Sequence, residues 1–263
     1  MLKYFNLSEN PFSTSPNPRF FCLSNSHRSI LAKLDYVTEY RQGLAVTYGD
    51  IGVGKTTLAK VVMDRLSEKN KVFFVNNPNY KSEMHMIKSI SEEMGIGPKR
   101  SQHAQMGAFK SSLVDMYEQG ISPVLIIDEA QFLIGHQFHI LREINNFETT
   151  DVKLLQILLF GQLELRNKLK IQKALLSRVI VTSTLDPLSP EELEEMIQFR
   201  VRVAGGSDEL FPSASISKIY EASRGLPRDV MKICGLGLKL AHLNKQKAVT
   251  PDVIDLTISE ARK

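Results

Sequence analysis

Nine residues constrain this chain more than any others. Gly49-Asp50-Ile51-Gly52-Val53-Gly54-Lys55-Thr56-Thr57 follows the apolar run LAVTY and precedes LAKVVMDRL. The spacing Gly49-x-x-x-x-Gly54-Lys55-Thr56 between a strand and a helix belongs to a loop whose backbone N–H groups curl around phosphates. Lys55 then reaches the β and γ phosphates, Thr56 holds Mg²⁺, and the following helix turns its positive end toward the anion. ATP and Mg²⁺ are therefore the expected ligands. A loop of this kind needs a strand before it and a helix after it, so the fold must be α/β around that point.

The rest of the chain alternates in the same way. KVFFVN (71–76), PVLIID (123–128), LLQILLF (154–160) and RVIVTS (178–183) are short apolar runs, and the connections between them carry helical periodicity. Met86, Ile87, Ile90 and Met94 form one such face, and Phe109, Leu113 and Met116 another. The alternation predicts a parallel five-stranded sheet with helices on both faces, a three-layer arrangement. The helix after the phosphate loop is expected to run to about Lys69. Residues 1–26, rich in Pro, Ser and Asn with interleaved aromatics, predict an irregular arm. After Asp186-Pro187 the pattern changes to helices only. Ser189 with Glu192 three residues on predicts a capping box, helices follow at about 213–223 and 227–243, and Thr250-Pro251 opens the last one. The expected division is an α/β core with its arm over 1–187 and a small all-helical lid over 188–263.

Composition limits the surroundings. With 263 residues, 43% of them hydrophobic, the chain can bury a sizeable core, and no run of about 18 apolar residues suits a membrane span. The opening MLKYFNLSENPF has no apolar leader, and Cys22 and Cys234 are too few for a disulfide framework, which fits a cytoplasmic protein. The net charge of +4 permits an anionic partner without requiring one.

Further residues complete a candidate site. VLIIDE ends a buried strand in Asp128, suited to hold Mg²⁺ through its water shell, and Glu129, suited to polarise an attacking water. Gln162 stands at the tip of the next strand, where an amide can orient that water or touch the γ-phosphate. Arg178 begins the fifth strand, at an edge that commonly faces a neighbouring subunit. It is the candidate finger for a neighbour's ATP, with Arg166 as a rival. In GLPRD (225–229), Arg228 falls in the first turn of a helix and would lie over the nucleotide if the helical domain closes as a lid. DEAQ (128–131) resembles a helicase motif, but no second lobe follows. His136 and His139 lack the carboxylate or cysteine companions of a metal site. Met84, Met86 and Met94 suit helix-core packing.

Taken together these motifs resemble those of the AAA+ ATPases, and the phrasing resembles the ExeA/TnsC-like branch. YFNLSENPFSTSPNPRFFCLSNSHRSIL, DEAQ, LLQILLFGQLELRNKL, LDPLSPEELEEMIQFRVRVAG and GLPRDVMKICGLGL carry the likeness over nearly the whole chain. The resemblance implies that the amino-terminal arm contributes to the adenine pocket, which would bring Phe12 near the base. Simple core packing accounts equally well for Phe5, Phe12, Phe20 and Phe21. It also implies a homo-oligomer, a ring or helical filament. Secretion-type members are membrane-anchored and carry a peptidoglycan-binding part, and this chain stops after the lid. That layout favours the transposition regulators of the TnsC, MuB and IstB kind, which assemble on double-stranded DNA and recruit a transposase or target selector. The alternatives are an assembly ATPase for a secretion or envelope machine and an ATP-dependent DNA-processing loader. By the same resemblance DNA would touch the segments NPNYKSE and GIGPKRSQH through Lys81, Lys99, Arg100 and Ser101, on phosphates and without sequence readout.

Overall fold

Five short strands pair in parallel, the three central ones too apolar to face water on either side. The five are β1 (Leu44–Gly49), β2 (Lys71–Val75), β3 (Pro123–Ile127), β4 (Gln156–Gly161) and β5 (Val179–Leu185), in the order β2-β3-β4-β1-β5. Every residue of β1, β3 and β4 is buried, as strands covered on both faces require. The edge strands β2 and β5 are only partly buried. The computed structural model describes residues 1–13, 17–67 and 70–261.

The helices of this α/β part are α1 (Asn25–Glu39), α2 (Lys55–Leu66), α3 (Glu83–Glu93), α4 (Gln102–Glu118), α5 (Gly135–Asn145), α6 (Leu163–Ile171) and the short α7 (Lys173–Leu176). The second turn of α2 onward lies within this part. The helix closes at Leu66, and Lys69, where it was expected to end, lies outside the described residues. The expected apolar faces are in place. Met86, Ile87, Ile90 and Met94 of α3 and its cap join Phe109, Leu113 and Met116 of α4 in one core with the strands. Ser82 caps α3 and Ser101 caps α4, each accepting a backbone N–H three residues on.

The chain resolves into two contact units. One holds residues 26–50 and 58–185, the sheet and its helices. The other holds residues 1–25, 51–57 and 186–263. Its helices are α8 (Pro190–Val203), α9 (Ser213–Ser223), α10 (Pro227–Leu243) and α11 (Pro251–Ala261). Ser189 accepts the Glu192 N–H at 3.2 Å while the Glu192 carboxylate takes the Ser189 N–H at 3.1 Å, the capping box that the sequence predicts. Thr250 accepts the first bond of α11 with its carbonyl, while its buried hydroxyl has no hydrogen-bond partner among the described residues.

The arm is less irregular than its composition suggests, because it has a hydrophobic bed. It contains two single helical turns, Leu2–Phe5 and Pro18–Phe20, and buries Phe5, Leu7, Phe12 and Phe20 among apolar residues of α8, α9, α10 and α11. Arg200 of α8 fastens it. The guanidinium donates to the Pro11 carbonyl at 2.7 Å and to the Phe20 carbonyl at 2.8 Å, and stands 5.1 Å from the centre of the Phe20 ring. Burial pushes Arg200 down to about 10, which leaves it charged at neutral pH. Among the described residues no helix is long and apolar enough to cross a membrane.

Candidate functional site

The phosphate loop starts where β1 ends. Gly49 closes the strand, Gly52 and Gly54 have φ of +87° and +102°, and α2 opens at Lys55. Those two dihedrals lie where only glycine is at ease, so the glycine spacing is a backbone requirement. Space around the two differs. A Cβ on Gly54 would meet nothing within 4 Å, whereas one on Gly52 would lie 3.2 Å from Cβ of Arg228. The Arg228 amide also donates to the Gly52 carbonyl at 3.2 Å. Thus Arg228, predicted to overlie the nucleotide, stands against the loop tip through its main chain and the root of its side chain. Val53 is buried, Ile51 is exposed, Lys55 is 5% exposed, and Thr56 and Thr57 are half-buried. α2 begins at Lys55, so the helix end that favours negative charge starts in the loop.

Strand order sets the other half. Because β4 lies between β3 and β1, the carboxyl ends of all three stand side by side. Asp50 leaves β1 there, with Asp128 and Glu129 at the end of β3 and Gln162 at the end of β4. Asp128 is 0% exposed, and its Oδ1 accepts the Glu129 N–H at 2.9 Å. Glu129 has φ +54°, a left-handed conformation that costs a non-glycine residue about 1–2 kcal/mol. Its Oε2 accepts the side-chain amides of Gln131 and, at 3.4 Å, of Gln162. Gln131 Oε1 in turn accepts the Gln162 N–H at 3.0 Å. The Lys168 ammonium donates to the carbonyls of Gln131 and, at 3.0 Å, Leu133.

The structure brings Glu129 and Gln162 together and adds Gln131 and Lys168, which the sequence did not single out. The signal for Gln131 was present in DEAQ: a second amide two residues beyond the carboxylate, across a tight turn. Thr56 has a hydroxyl and Asp128 a carboxylate, and each is by its own chemistry a hard oxygen donor of the kind Mg²⁺ takes. Among the described residues no cluster of three or more His, Cys, Asp or Glu could hold a metal.

Arg178 lies at the other end of the sheet. Val179 pairs with Leu44 at the start of β1, while Gly49 pairs with Leu185 at its end. The Arg178 guanidinium is tied within its own chain, donating from Nε to Asn146 Oδ1 at 2.8 Å and from Nη1 to the Ala174 carbonyl. Arg166 is exposed on α6 and lies near Tyr48, whose phenol is raised by burial and slightly lowered by that arginine. Phe12 is 4% exposed and packs edge-to-face on Phe211, with ring centres 5.2 Å apart.

Lys81, Lys99, Arg100 and Ser101 are all exposed. Gln102 donates to Glu83 at 3.0 Å, which joins the amino-terminal ends of α3 and α4 and makes neighbours of the two segments carrying these residues. The Lys99 N–H is held by buried Gln105 at 2.7 Å, and Ser101 is engaged as a helix cap.

Known proteins share this architecture. The AAA domain family matches residues 38–169. General secretion pathway protein A of Aeromonas hydrophila is 29% identical over 262 residues, covering 98% of this chain and 48% of that protein. The chain thus spans about half the length of the curated relative it matches, so its last residue is no argument about layout. This identity bears out the resemblance to the ExeA branch. The ORC2 protein of Aeropyrum pernix, in ADPNP–ADP complexes, superposes with a TM-score of 0.70 at 17% identity, over 96% of this chain and 72% of that one. Cdc6p of Pyrobaculum aerophilum gives a TM-score of 0.73 at 14% identity, over 95% and 70%. At such identities the structures speak for the fold alone, and they agree on a three-layer α/β architecture with an added helical part.

Proposed function

The chain belongs to the AAA domain family, and from that premise we propose that it is an ATP hydrolase of the secretion-assembly type. One observation carries the chemistry: the carboxyl ends of three adjacent strands gather the root of the phosphate loop, the Asp128-Glu129 pair and Gln162. In this reading the loop N–H groups and Lys55 hold the phosphates. Thr56 and Asp128 would hold Mg²⁺, which would supply neutralisation of the phosphate charge. Water, oriented by Gln162, forms a bond to the γ-phosphorus as the bond to the bridging oxygen breaks. Its proton passes to Glu129, and ADP departs with the bridging oxygen. Arg228 offers positive charge beside the loop. Arg178, at the opposite end of the sheet from its own Glu129, serves a neighbour's site in a homo-oligomeric ring or filament.

Lys55→Ala should remove most ATP binding. Glu129→Gln should keep binding and slow hydrolysis on the order of a hundredfold or more. A Glu129→Gln protein that turns over ATP like wild type defeats this reading. The relative's name, General secretion pathway protein A, supports a role in assembling a secretion or envelope machine over the transposition role.

A second reading concerns double-stranded DNA, and the Gln102–Glu83 bond supports it, since Arg100 stands two residues before Gln102 and Lys81 two before Glu83. Phosphate contacts from several protomers would add along one duplex and weaken steeply with salt. Fluorescence anisotropy on a labelled duplex, at two salt concentrations with and without ATP, tests it. Binding that Lys81→Glu with Arg100→Glu abolishes supports it, and no binding in any nucleotide state rejects it.

A further inference from the structure

Glu129 sits in a left-handed turn, outside both the strand that precedes it and the helix that follows, so regular backbone does not aim its side chain. A glutamate has three side-chain torsions, and a free one would sample many positions for its carboxylate. Here Oε2 is held chiefly by Gln131, since the Gln162 amide stands farther off at 3.4 Å. The Gln131 amide is itself fixed at both ends. Its oxygen must face the Gln162 N–H and its nitrogen must face the carboxylate, so a flipped amide would lose both bonds. Gln131 is only 7% exposed, and its main-chain carbonyl is gripped by Lys168. Gly161 makes room for it: a Cβ there would lie 3.3 Å from Gln131 Oε1 and 2.6 Å from Leu165 Cδ2.

We propose that Gln131 is the positioning residue for Glu129. Its amide ties one carboxylate oxygen to the tip of β4 and leaves the other oxygen to meet the attacking water, while Lys168 anchors Gln131 from behind. The proposal rests on Glu129 being the general base described above. Gln131 touches neither phosphate nor water in this scheme, so it acts on turnover through Glu129 and not on nucleotide affinity.

The test uses the full chain with Gln131→Ala, the isosteric Gln131→Glu, Lys168→Met and the Gln131→Ala/Lys168→Met double variant. Gln131→Glu keeps the shape and the acceptor for the Gln162 N–H but replaces the donor with a second carboxylate. Steady-state ATP hydrolysis and the affinity for a fluorescent ATP analogue are measured, with thermal melting as a fold check. Both Gln131 variants should lower kcat on the order of tenfold to a hundredfold, with KM and analogue affinity within about twofold of wild type. Lys168→Met should lower kcat less, and the double variant should fall no further than Gln131→Ala, because Lys168 acts through Gln131. A kcat within twofold of wild type, or above it, overturns the proposal. So does a parallel loss of kcat, nucleotide affinity and melting temperature in the isosteric variant, which would mark a merely structural role. Glu129→Gln separates the two levels. If it is inactive while the Gln131 variants are normal, only the positioning role fails. If it hydrolyses ATP normally, the general-base reading fails as well.

Discussion

Replacing Gly225 with alanine tests how the helical unit is held at its tightest point. The residue follows Arg224, itself at φ +51°, and connects α9 to α10. Its own φ is +75°, and an added Cβ would lie 2.1 Å from the Leu188 carbonyl oxygen and 3.1 Å from Leu188 C and N. The obstacle is backbone, so no side chain can swing aside. The Leu188 N–H also donates to the Gly225 carbonyl at 2.9 Å. The left-handed conformation costs alanine about 1–2 kcal/mol. Loss of the hydrogen bond adds roughly 0.5–1.5 kcal/mol. With displacement of buried Leu188, the total is roughly 2–4 kcal/mol, a fall in melting temperature of about 5–15 °C at this chain length. Cys234 provides a local readout. It is buried in the same core, and burial raises its thiol so that alkylation requires opening. Peptide-resolved alkylation of Cys234 should accelerate roughly thirtyfold or more, at about 1.4 kcal/mol per decade. Gly107→Ala in α4 is the control, since no atom lies within 4 Å of its Cβ and its φ is ordinary. It should stabilise by about 0.5–1 kcal/mol. A Gly225→Ala protein that melts within about 1 °C of wild type, with unchanged Cys234 labelling, would refute the reasoning.

Burial, then the Glu93 carboxylate, pushes the Tyr80 phenol up to about 12. The unfolded chain then loses that proton near pH 10 while the native one keeps it, so stability falls as pH rises from 10 to 12. Urea midpoints at pH 9.5 and 11.5 should show a drop on the order of 2 kcal/mol that Tyr80→Phe largely removes. Arg200→Met leaves the Pro11 and Phe20 carbonyls without their donor, at about 1–3 kcal/mol each if they stay buried. Limited proteolysis should then cut within residues 1–25 faster than in wild type, and equal cutting would show that apolar packing alone holds the arm. Gly52→Ala combines left-handed strain with a 3.2 Å approach to Arg228. It should weaken ATP-analogue binding more than Arg228→Ala does, as measured by fluorescence titration.

Features that depend on near neighbours in the chain were legible. The Gly52, Gly54 and Lys55-Thr56 spacing encodes a loop because two positive φ angles and a helix start are local requirements. Apolar runs of strand length gave all five strands, and Ser189 with Glu192 gave the start of α8. Strand ends were less certain. β3 stops at Ile127 and β4 begins at Gln156, since pairing across the sheet and not hydrophobicity sets where a ladder ends.

What the sequence determined by itself is the chemistry on offer: a phosphate loop, an Asp-Glu pair ending a buried strand, an amide ending another, and helices beyond Asp186. What only the tertiary structure decided is which of these meet. The order β2-β3-β4-β1-β5 places Gln162 beside Glu129, because a parallel sheet joins strands through crossovers whose order no local pattern records. Gln131 became visible as a partner of that carboxylate, and Lys168 as its anchor, only once α6 had packed against the turn after β3. Gly52 and Arg228, far apart in the chain, touch through backbone atoms that carry no sequence signal. Phe12 is likewise a generic apolar residue until the arm folds, when burial against Phe211 fixes its place. Contacts within a few residues are written in residue type and spacing. Contacts across the chain follow from how each unit buries its apolar surface while bonding most of its buried polar groups, and that solution exists only in three dimensions.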